Sequence, residues 1–473
     1  MSTPPPATLL PINSALSSRQ PPVNGGLSLW WQQVGLRERL EPLRGEHSYD
    51  VCIVGGGLTG LWTAYYLTLA DPGLRIVILE AEFAGYGASG RNGGWLSAKL
   101  AGGQRRYSSG PGGAEALTRL KHELSDTVDE VIEVCAREGI DADIVKSGRL
   151  AVARSQAQAA RMREALAAGV AGEELSAEEF TARIAVAGAR GGTFDPQCAR
   201  VHPAKLVDGV TRSVLRLGVT IHENSRVVSV SPGVAKTASG TVRARYVLRC
   251  LEGYSASLPG HRRDWIPLNS AMIATEPLSE QQWNEIGWAG RELLGDYANV
   301  YFYAQRTPDD RIAIGGRGVP YRFGSRVDNA GITQQRTIAS LRRTLDEVFP
   351  TLRTARVTHA WCGVLGVPRD WAATVGLDRQ TGLGWAGGYV GSGLTATNLA
   401  GRTLRDLVLG RESPLTTLAW TDRPAQHWEP EPLRWLGVTS MYALSRQADR
   451  RETRIGRPSR ISAVANKITG REP

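Results

Sequence analysis

Residues 48–82 read SYDVCIVGGGLTGLWTAYYLTLADPGLRIVILEAE, and this stretch decides the fold. An apolar segment, a glycine turn, an apolar helical segment, a Pro-Gly break and a second apolar segment follow one another. This order predicts a strand, a helix and a second strand. Leu58, Leu61, Tyr65 and Leu69 recur at helical spacing, so we expect them to form one buried face of the helix.

The turn contains the spacing G-x-G-x-x-G, which allows a tight turn, a close approach of a pyrophosphate and close helix–strand packing. Glu80 ends the second strand, where an acid binds ribose hydroxyls and repels the 2′-phosphate of NADP. The start of the helix offers N–H groups and a positive dipole end to phosphates. We therefore predict a bound dinucleotide, with contacts from Gly55, Gly57, Leu58, Thr59, Gly60, Glu80 and Ala81.

The next stretch, AGYGASGRNGGW (84–95), contains five glycines directly after the second strand. A nicotinamide dehydrogenase normally needs no such loop, whereas a backbone without side chains can follow a pyrophosphate and pass close to a flat ring. This favours FAD over NAD. Ser89 and Arg91 are expected to reach phosphates or flavin carbonyls. The predicted contacts are Gly87, Ala88, Ser89, Arg91, Asn92, Gly93, Gly94 and Trp95.

A second glycine turn, GGYVGSGLTATNLAG (387–401), precedes a predicted helix from about residue 394 to 409. A helix start favours negative charge, and a flavin gains negative charge at N1/O2 on reduction. The turn is therefore a second candidate flavin contact. The residues expected to make it are Gly388, Gly391, Gly393, Leu394 and Thr395.

With these motifs, the chain resembles the D-amino acid oxidase/glycine oxidase superfamily of FAD-dependent oxidoreductases. GASGRNGGW (87–95) is similar to its gamma-glutamylputrescine oxidase-like branch. The resemblance covers about residues 48–435 and includes GGRGVPYRFGS (315–325) and THAWCGVLGVPRD (358–370). One departure is Arg249-Cys250, where the family usually has an Ala-Thr pair.

The resemblance implies an α/β fold (α+β overall): a discontinuous Rossmann-like FAD-binding domain with an inserted antiparallel β-sheet substrate domain. It further implies flavin contacts from Val227, Val228, Trp361 and Cys362, and FAD held without a covalent bond. A covalent bond to Cys362 is the alternative, because this cysteine precedes Pro368 much as the flavin-linked cysteine of monomeric sarcosine oxidase-like enzymes precedes a proline.

We assign the chain to four parts. They are an N-terminal arm and short helix (1–47), an FAD-binding domain (48–110, 199–262 and 352–410), a substrate domain (111–198 and 263–351) and a C-terminal helical segment with a basic tail (411–473). The sequence YFYAQRTPDDRIAIGGRG (301–318) in the substrate domain predicts a hairpin turning at residues 308–310.

Composition narrows the class of protein. With 42% hydrophobic and 22% charged residues, we expect a soluble globular chain, and no apolar run approaches the ~20 residues of a membrane helix. No secretory signal is recognisable at the N-terminus. Five scattered cysteines without a C-x-x-C pair indicate reduced thiols in the cytoplasm and no metal site.

The net charge of +10 is unevenly distributed. Residues 446–473 hold eight Lys/Arg and three Asp/Glu, so +5 of the total lies in this tail. We interpret it as a solvated tail and expect no nucleic-acid partner; binding of the tail to nucleic acid or to an acidic surface is the alternative. Nothing in the sequence indicates an oligomeric state.

The predicted function is oxidation of a primary or secondary amine or an amino acid, by hydride transfer to flavin N5, with O2 as acceptor. The alternatives are a flavin dehydrogenase with another acceptor and a flavin-binding protein without catalysis. Trp361 and Arg317 are the candidate catalytic residues, and Arg317 could hold a substrate carboxylate. Trp95, Tyr301 and Tyr303 are further candidates to line the substrate pocket.

Overall fold

The computed structural model describes residues 21–110, 112–316, 321–327, 330–423 and 426–455. Arg317, the start of the predicted arm and the end of the basic tail lie outside these residues. The helices are α1 (Leu29–Val34), α2 (Leu58–Ala70), α3 (Gln104–Ser108), α4 (Gly113–Glu138), α5 (Gln156–Ala167), α6 (Ala177–Arg183), α7 (Pro203–Arg216), α8 (Glu280–Ile286), α9 (Gln335–Val348), α10 (Gly393–Leu409) and α11 (Leu433–Ile455). The strands are β1 (Val23–Asn24), β2 (Gly45–Val54), β3 (Ile76–Leu79), β4 (Trp95–Ser97), β5 (Arg149–Val152), β6 (Glu173–Leu175), β7 (Gly192–Asp195), β8 (Cys198–Arg200), β9 (Thr220–His222), β10 (Val227–Ser231), β11 (Val234–Thr237), β12 (Gly240–Arg249), β13 (Trp265–Thr275), β14 (Leu293–Asp296), β15 (Phe302–Arg306), β16 (Ile312–Gly316), β17 (Val357–Pro368), β18 (Thr374–Asp378) and β19 (Leu383–Gly387).

Eight strands form a first sheet, which we call the cofactor sheet. Its order is β10-β11-β12-β2-β3-β9, with β19 beside β12 and β18 beside β19. The pairs β12–β2, β2–β3 and β3–β9 are parallel, and α2 connects β2 to β3. Residues 51–54 of β2 are buried, as expected for a parallel strand covered on both faces. The predicted strand–helix–strand unit is thus confirmed.

Helix α2 is buried on all sides from Leu58 to Thr68. Helices α10 and α7 both pack against it, so the helix lies inside the domain rather than at its surface. The prediction of a single buried face was therefore too narrow. It was also wrong for Leu69, whose side chain at the end of the helix is 48% exposed.

Nine strands form a second, mostly antiparallel sheet, which we call the substrate sheet. Its order is β1-β17-β13-β16-β15-β14-β5-β7-β6. The predicted hairpin is present as β15 and β16, which pair antiparallel around the turn at 307–311. Strand β17 pairs with β13 along nearly its whole length. It thus belongs to the substrate sheet, although the segment 352–410 was assigned to the FAD-binding domain.

The two faces of the substrate sheet meet different cores, because successive residues of a strand point to opposite sides. Trp361 of β17 joins the core that also contains α2, α7 and α10. Cys362, the next residue, joins a second core with Ile273 and Leu341 beneath α9. The face that carries Trp361 is therefore turned toward the cofactor sheet. In the described part of the chain, no helix is long and apolar enough to span a membrane.

Candidate active site

A cavity of about 1050 Å³ is lined by residues of both sheets. It brings together seventeen of the residues predicted from the sequence to bind the cofactor. They are Gly55, Gly57, Leu58, Thr59, Glu80, Ala81, Gly87, Ala88, Ser89, Arg91, Asn92, Gly93, Trp95, Val227, Gly391, Gly393 and Leu394. Two separate glycine turns and the end of β3 therefore converge on one site.

The first glycine turn is shaped by main-chain contacts that exclude side chains. Gly55 has φ +112°, and a Cβ there would lie 2.5 Å from the carbonyl oxygen of Cys250. A Cβ on Gly60 would lie 2.2 Å from the carbonyl oxygen of Gly55, so this glycine permits helix–strand packing and does not line the cavity. The start of α2 lies at the cavity, and the Ser89 hydroxyl accepts a hydrogen bond from the Leu58 N–H at 2.9 Å. Such a helix start is a suitable phosphate site.

Glu80 is oriented by two main-chain donors. Its carboxylate oxygens accept hydrogen bonds from the N–H of Gly56 at 2.8 Å and of Glu82 at 2.9 Å. Burial raises the pKa of Glu80, and these two N–H groups oppose the shift. A carboxylate fixed at the end of β3 and lining the cavity fits the hydroxyls of a ribose.

Arg91 lines the cavity, but its guanidinium bonds to main-chain carbonyls. It donates to the carbonyl oxygens of Tyr86 at 2.8 Å, Gly26 at 2.8 Å and Cys362 at 3.4 Å, and it lies over the Tyr86 ring. This arrangement differs from the predicted contact with a phosphate or flavin carbonyl. Arg91 instead ties the glycine-rich loop to β17 and to the N-terminal segment.

The second glycine turn leads into α10, as predicted. Its N-cap residue, Ser392, makes no side-chain capping bond, and Gly391, Gly393 and Leu394 line the cavity. The positive end of the α10 dipole thus lies at the site. Gly388 is placed differently, because a Cβ on it would lie 2.5 Å from the Pro368 ring.

Glu252 is a cavity residue that the sequence reasoning missed. Its carboxylate accepts hydrogen bonds from the N–H of Gly388 at 3.0 Å and of Tyr389 at 3.1 Å, so it holds the second glycine turn. Burial raises the pKa of Glu252 to about 7, against the effect of these donors. The available signal was an acidic residue among apolar ones directly after the core strand β12.

Several predicted contacts do not line the cavity: Gly60, Gly94, Val228, Trp361, Cys362, Gly388 and Thr395. Val228 is 47% exposed. Trp361 is fully buried and donates its indole N–H to the carbonyl oxygen of Arg91 at 2.9 Å. The Cys362 Sγ lies 3.6 Å from the carbonyl oxygen of Ile332, on the far face of the substrate sheet.

The substrate sheet contributes an aromatic end to the cavity. The edge of Trp95 meets Tyr303 with ring centroids 6.1 Å apart, and the Lys99 ammonium lies 5.3 Å from the centroid of Tyr301. The hydroxyls of Tyr303 and Ser270 lie 2.9 Å apart. Trp95, Tyr301 and Tyr303 thus occupy the positions expected of pocket residues.

Charged side chains line the cavity farther along the substrate sheet. Arg149 lies 3.8 Å from Asp195, and Arg161 pairs with the buried Glu452 of α11 at 2.8 Å. Burial raises the pKa of Asp296 to about 7. In the described residues, no group of three or more His, Cys, Asp and Glu side chains could hold a metal ion.

The parallel sheet, the two glycine turns and the shared cavity define a dinucleotide-binding protein in which a second sheet lines the same cavity. The chain belongs to the FAD dependent oxidoreductase family, whose model matches residues 50–407. The family, the α/β fold, FAD as the cofactor and an oxidoreductase activity are thereby confirmed as predicted.

Among its relatives is the gamma-glutamylputrescine oxidoreductase of Escherichia coli strain K12, 31% identical over 76% of this chain and 84% of that protein. The probable oxidoreductase OrdL of Rhizobium meliloti is 29% identical over 86% of this chain and 94% of its own length. The crystal structure of glycine oxidase from Geobacillus kaustophilus has the same fold, with a TM-score of 0.65 at 21% identity. The match covers 80% of this chain and all of that one.

The residues present fit FAD. Gly55, Gly57 and the start of α2 would hold the pyrophosphate, and Glu80 would hold the ribose. The glycine-rich loop and the start of α10 would lie along the flavin ring. A Cβ on Gly57 would lie 3.0 Å from the Ser89 hydroxyl. The first glycine turn and the glycine-rich loop can therefore lie close together only because residues 57 and 89 are small.

Proposed function

We propose that this protein oxidises a primary or secondary amine, or an amino acid, to an imine and passes the electrons to O2, giving hydrogen peroxide. The printed names of two kinds of relative, gamma-glutamylputrescine oxidoreductase and glycine oxidase, support an amine or amino-acid substrate. The side chains at the substrate end of the cavity support an amine or amino-acid substrate independently.

The observation that carries the proposal is the set of side chains at this end. The described residues that line the cavity include no histidine, and the half-buried Asp296 accepts a hydrogen bond from the Phe302 N–H at 3.3 Å. Oxidation of a hydroxyl generally needs a dedicated base. A deprotonated amine supplies its own lone pair, so an aromatic pocket that excludes water is sufficient.

When bound, FAD supplies an acceptor for the hydride on the carbon that carries the nitrogen. The protein binds and orients the substrate beside it. Trp95 and Tyr303 exclude water, and the hydroxyls of Tyr303 and Ser270 can donate to or accept from the amine. The α10 dipole at the site favours negative charge there.

Two side chains with hydrogen-bond donors line the cavity. They are Trp95 and Arg149, and the Arg149 guanidinium lies 3.8 Å from Asp195. A guanidinium at the cavity suits a ligand with a carboxylate, because the two groups can form paired hydrogen bonds. We assign to Arg149 the carboxylate-binding role first considered for Arg317.

FAD is held without a covalent bond in this proposal. Cys362 follows Trp361 on β17 and therefore points to the face of the sheet opposite the cavity, where its thiol packs beneath α9. A covalent bond between FAD and this sulfur would require β17 to rotate so that the Cys362 side chain faced the cavity.

The test is the stoichiometry of the products. Each turnover of a good substrate should give one carbonyl compound, one ammonia or smaller amine, and one peroxide in air. If the reduced protein reoxidises only with an artificial acceptor, it is a dehydrogenase, the first alternative. If no amine reduces it, the second alternative, a flavin-binding protein without catalysis, is favoured.

A further inference from the structure

The N-terminal segment 23–34, which we call the brace, contacts the glycine-rich loop 84–95, which we call the cofactor loop. Three brace side chains donate hydrogen bonds to main-chain carbonyls of that loop. The bonds run from the Ser28 hydroxyl to Gly90 at 2.6 Å, from the Trp30 indole to Asn92 at 2.9 Å and from the Trp31 indole to Gly85 at 3.3 Å.

A fourth donor approaches the same loop from the substrate sheet. The Trp361 indole bonds to the Arg91 carbonyl at 2.9 Å, and its ring meets that of Trp30 at 5.8 Å, edge to face. Four main-chain carbonyls of the cofactor loop therefore accept hydrogen bonds from buried side chains that do not line the cavity.

The brace is itself firmly held. Strand β1 pairs parallel with β17, with Val23 opposite His359, and Trp30 and Trp31 are 0% and 3% exposed. The contact with the loop is close: a Cβ on Gly90 would lie 2.1 Å from the Trp31 Nε1. A glycine is thus required where the indole reaches the loop.

We propose that the brace positions the cofactor loop and thereby sets the affinity for FAD. Five glycines give the free loop many conformations, and ordering them on binding would cost affinity. Fixing the carbonyls in advance pre-organises the loop for its ligand. Tryptophan suits this role because its N–H only donates and its ring packs tightly. The inference rests on FAD binding and not on the identity of the substrate.

The experiment measures FAD binding to the apoprotein of Trp30→Phe by fluorescence titration. The control is Trp288→Phe, since the Trp288 indole is also fully buried and donates to the Glu292 carbonyl at 2.9 Å, in the other core. We expect both variants to lower the melting temperature. Only Trp30→Phe should weaken FAD binding, by about three- to tenfold for one lost hydrogen bond.

A second readout needs no cofactor. In the apoprotein, amides of residues 84–95 should exchange hydrogen faster in Trp30→Phe than in the wild type, and at the wild-type rate in Trp288→Phe. If Trp30→Phe does not fold, Ser28→Ala removes the bond to the Gly90 carbonyl together with the bond that the Ser28 hydroxyl accepts from the Trp31 N–H at the start of α1, and it should show the same two effects. Wild-type FAD affinity and unchanged loop exchange in a folded brace variant would overturn the proposal. A failure to oxidise amines would not affect it.

Discussion

The hydroxyls of Tyr303 on β15 and Ser270 on β13 lie 2.9 Å apart, across the intervening strand β16, at the aromatic end of the cavity. Their pairing gives the cavity a hydroxyl donor and acceptor beside Trp95. Because neither residue lies at the dinucleotide end, the pair can be tested separately from FAD binding.

Tyr303→Phe should therefore lower kcat/KM for the best amine by about tenfold to a hundredfold, the effect of one or two lost hydrogen bonds in a dry site. The ring, and with it the contact to Trp95, is retained. FAD affinity should stay at the wild-type value. Steady-state kinetics and a flavin titration check both statements, and an unchanged kcat/KM would exclude the pair from substrate binding.

Glu80→Ala should weaken FAD binding by about 1–3 kcal/mol, the size of a hydrogen bond to a charged group. The variant also leaves the N–H groups of Gly56 and Glu82 unpaired, so it should be less stable as well. Glu80→Gln keeps the shape of the side chain and one acceptor oxygen, so it removes the charge and one of the two main-chain hydrogen bonds, and it serves as the matched comparison. Calorimetric titration of both apoproteins with FAD measures the two affinities. Wild-type affinity in the alanine variant would show that Glu80 does not bind the ribose.

Glu252 should make stability depend on pH. Its pKa is raised to about 7 in the fold, so between its unfolded value of about 4.5 and pH 7 the native state holds the extra proton. The free energy of unfolding should therefore fall as pH rises through this range, by up to about 1.4 kcal/mol per pH unit from this group. Glu252→Gln should flatten that slope.

The measurement for Glu252 is denaturant unfolding of the apoprotein at pH 5, 6, 7 and 8. Asp296, whose pKa is also raised to about 7, lowers the free energy of unfolding as pH rises over the same range. The slope of the free energy of unfolding against pH is therefore compared between Glu252→Gln and the wild type. Equal slopes in the two proteins would contradict the assignment to Glu252.

FAD should leave the protein on acid denaturation. Precipitated protein should be colourless with the yellow flavin in the supernatant, because the Cys362 thiol faces away from the cavity. Cys362→Ala should bind FAD with wild-type affinity. A yellow pellet, together with a flavin-bearing peptide that includes residue 362, would contradict the non-covalent account.

Local sequence signals predicted much of the fold. The apolar segments around the first glycine turn gave β2, α2 and β3, and the second turn gave α10, because each signal lies within a few residues of its element. The hairpin β15–β16 followed from its turn in the same way. Residues of both glycine turns, recognised from their spacing, line the same cavity.

Long-range pairings were not predictable from such signals. The segment that contains strand β17 was assigned to the FAD-binding domain, since nothing in its own residues shows that it pairs with β13 of the substrate sheet. The partners of the Arg91 guanidinium are main-chain carbonyls, which carry no sequence signature. The indoles of Trp30 and Trp31 reach a loop more than 50 residues away in the chain, so only the assembled fold shows their role.

The most direct test of the central claim is anaerobic mixing of the purified holoprotein with a panel of amines, amino acids, alcohols and 2-hydroxy acids, followed by flavin absorbance. We predict that at least one amine or amino acid, most readily one that carries a carboxylate, bleaches the flavin. Admission of air should then restore the colour with one peroxide per flavin. Bleaching by an alcohol or hydroxy acid, but by no amine or amino acid, would contradict the account.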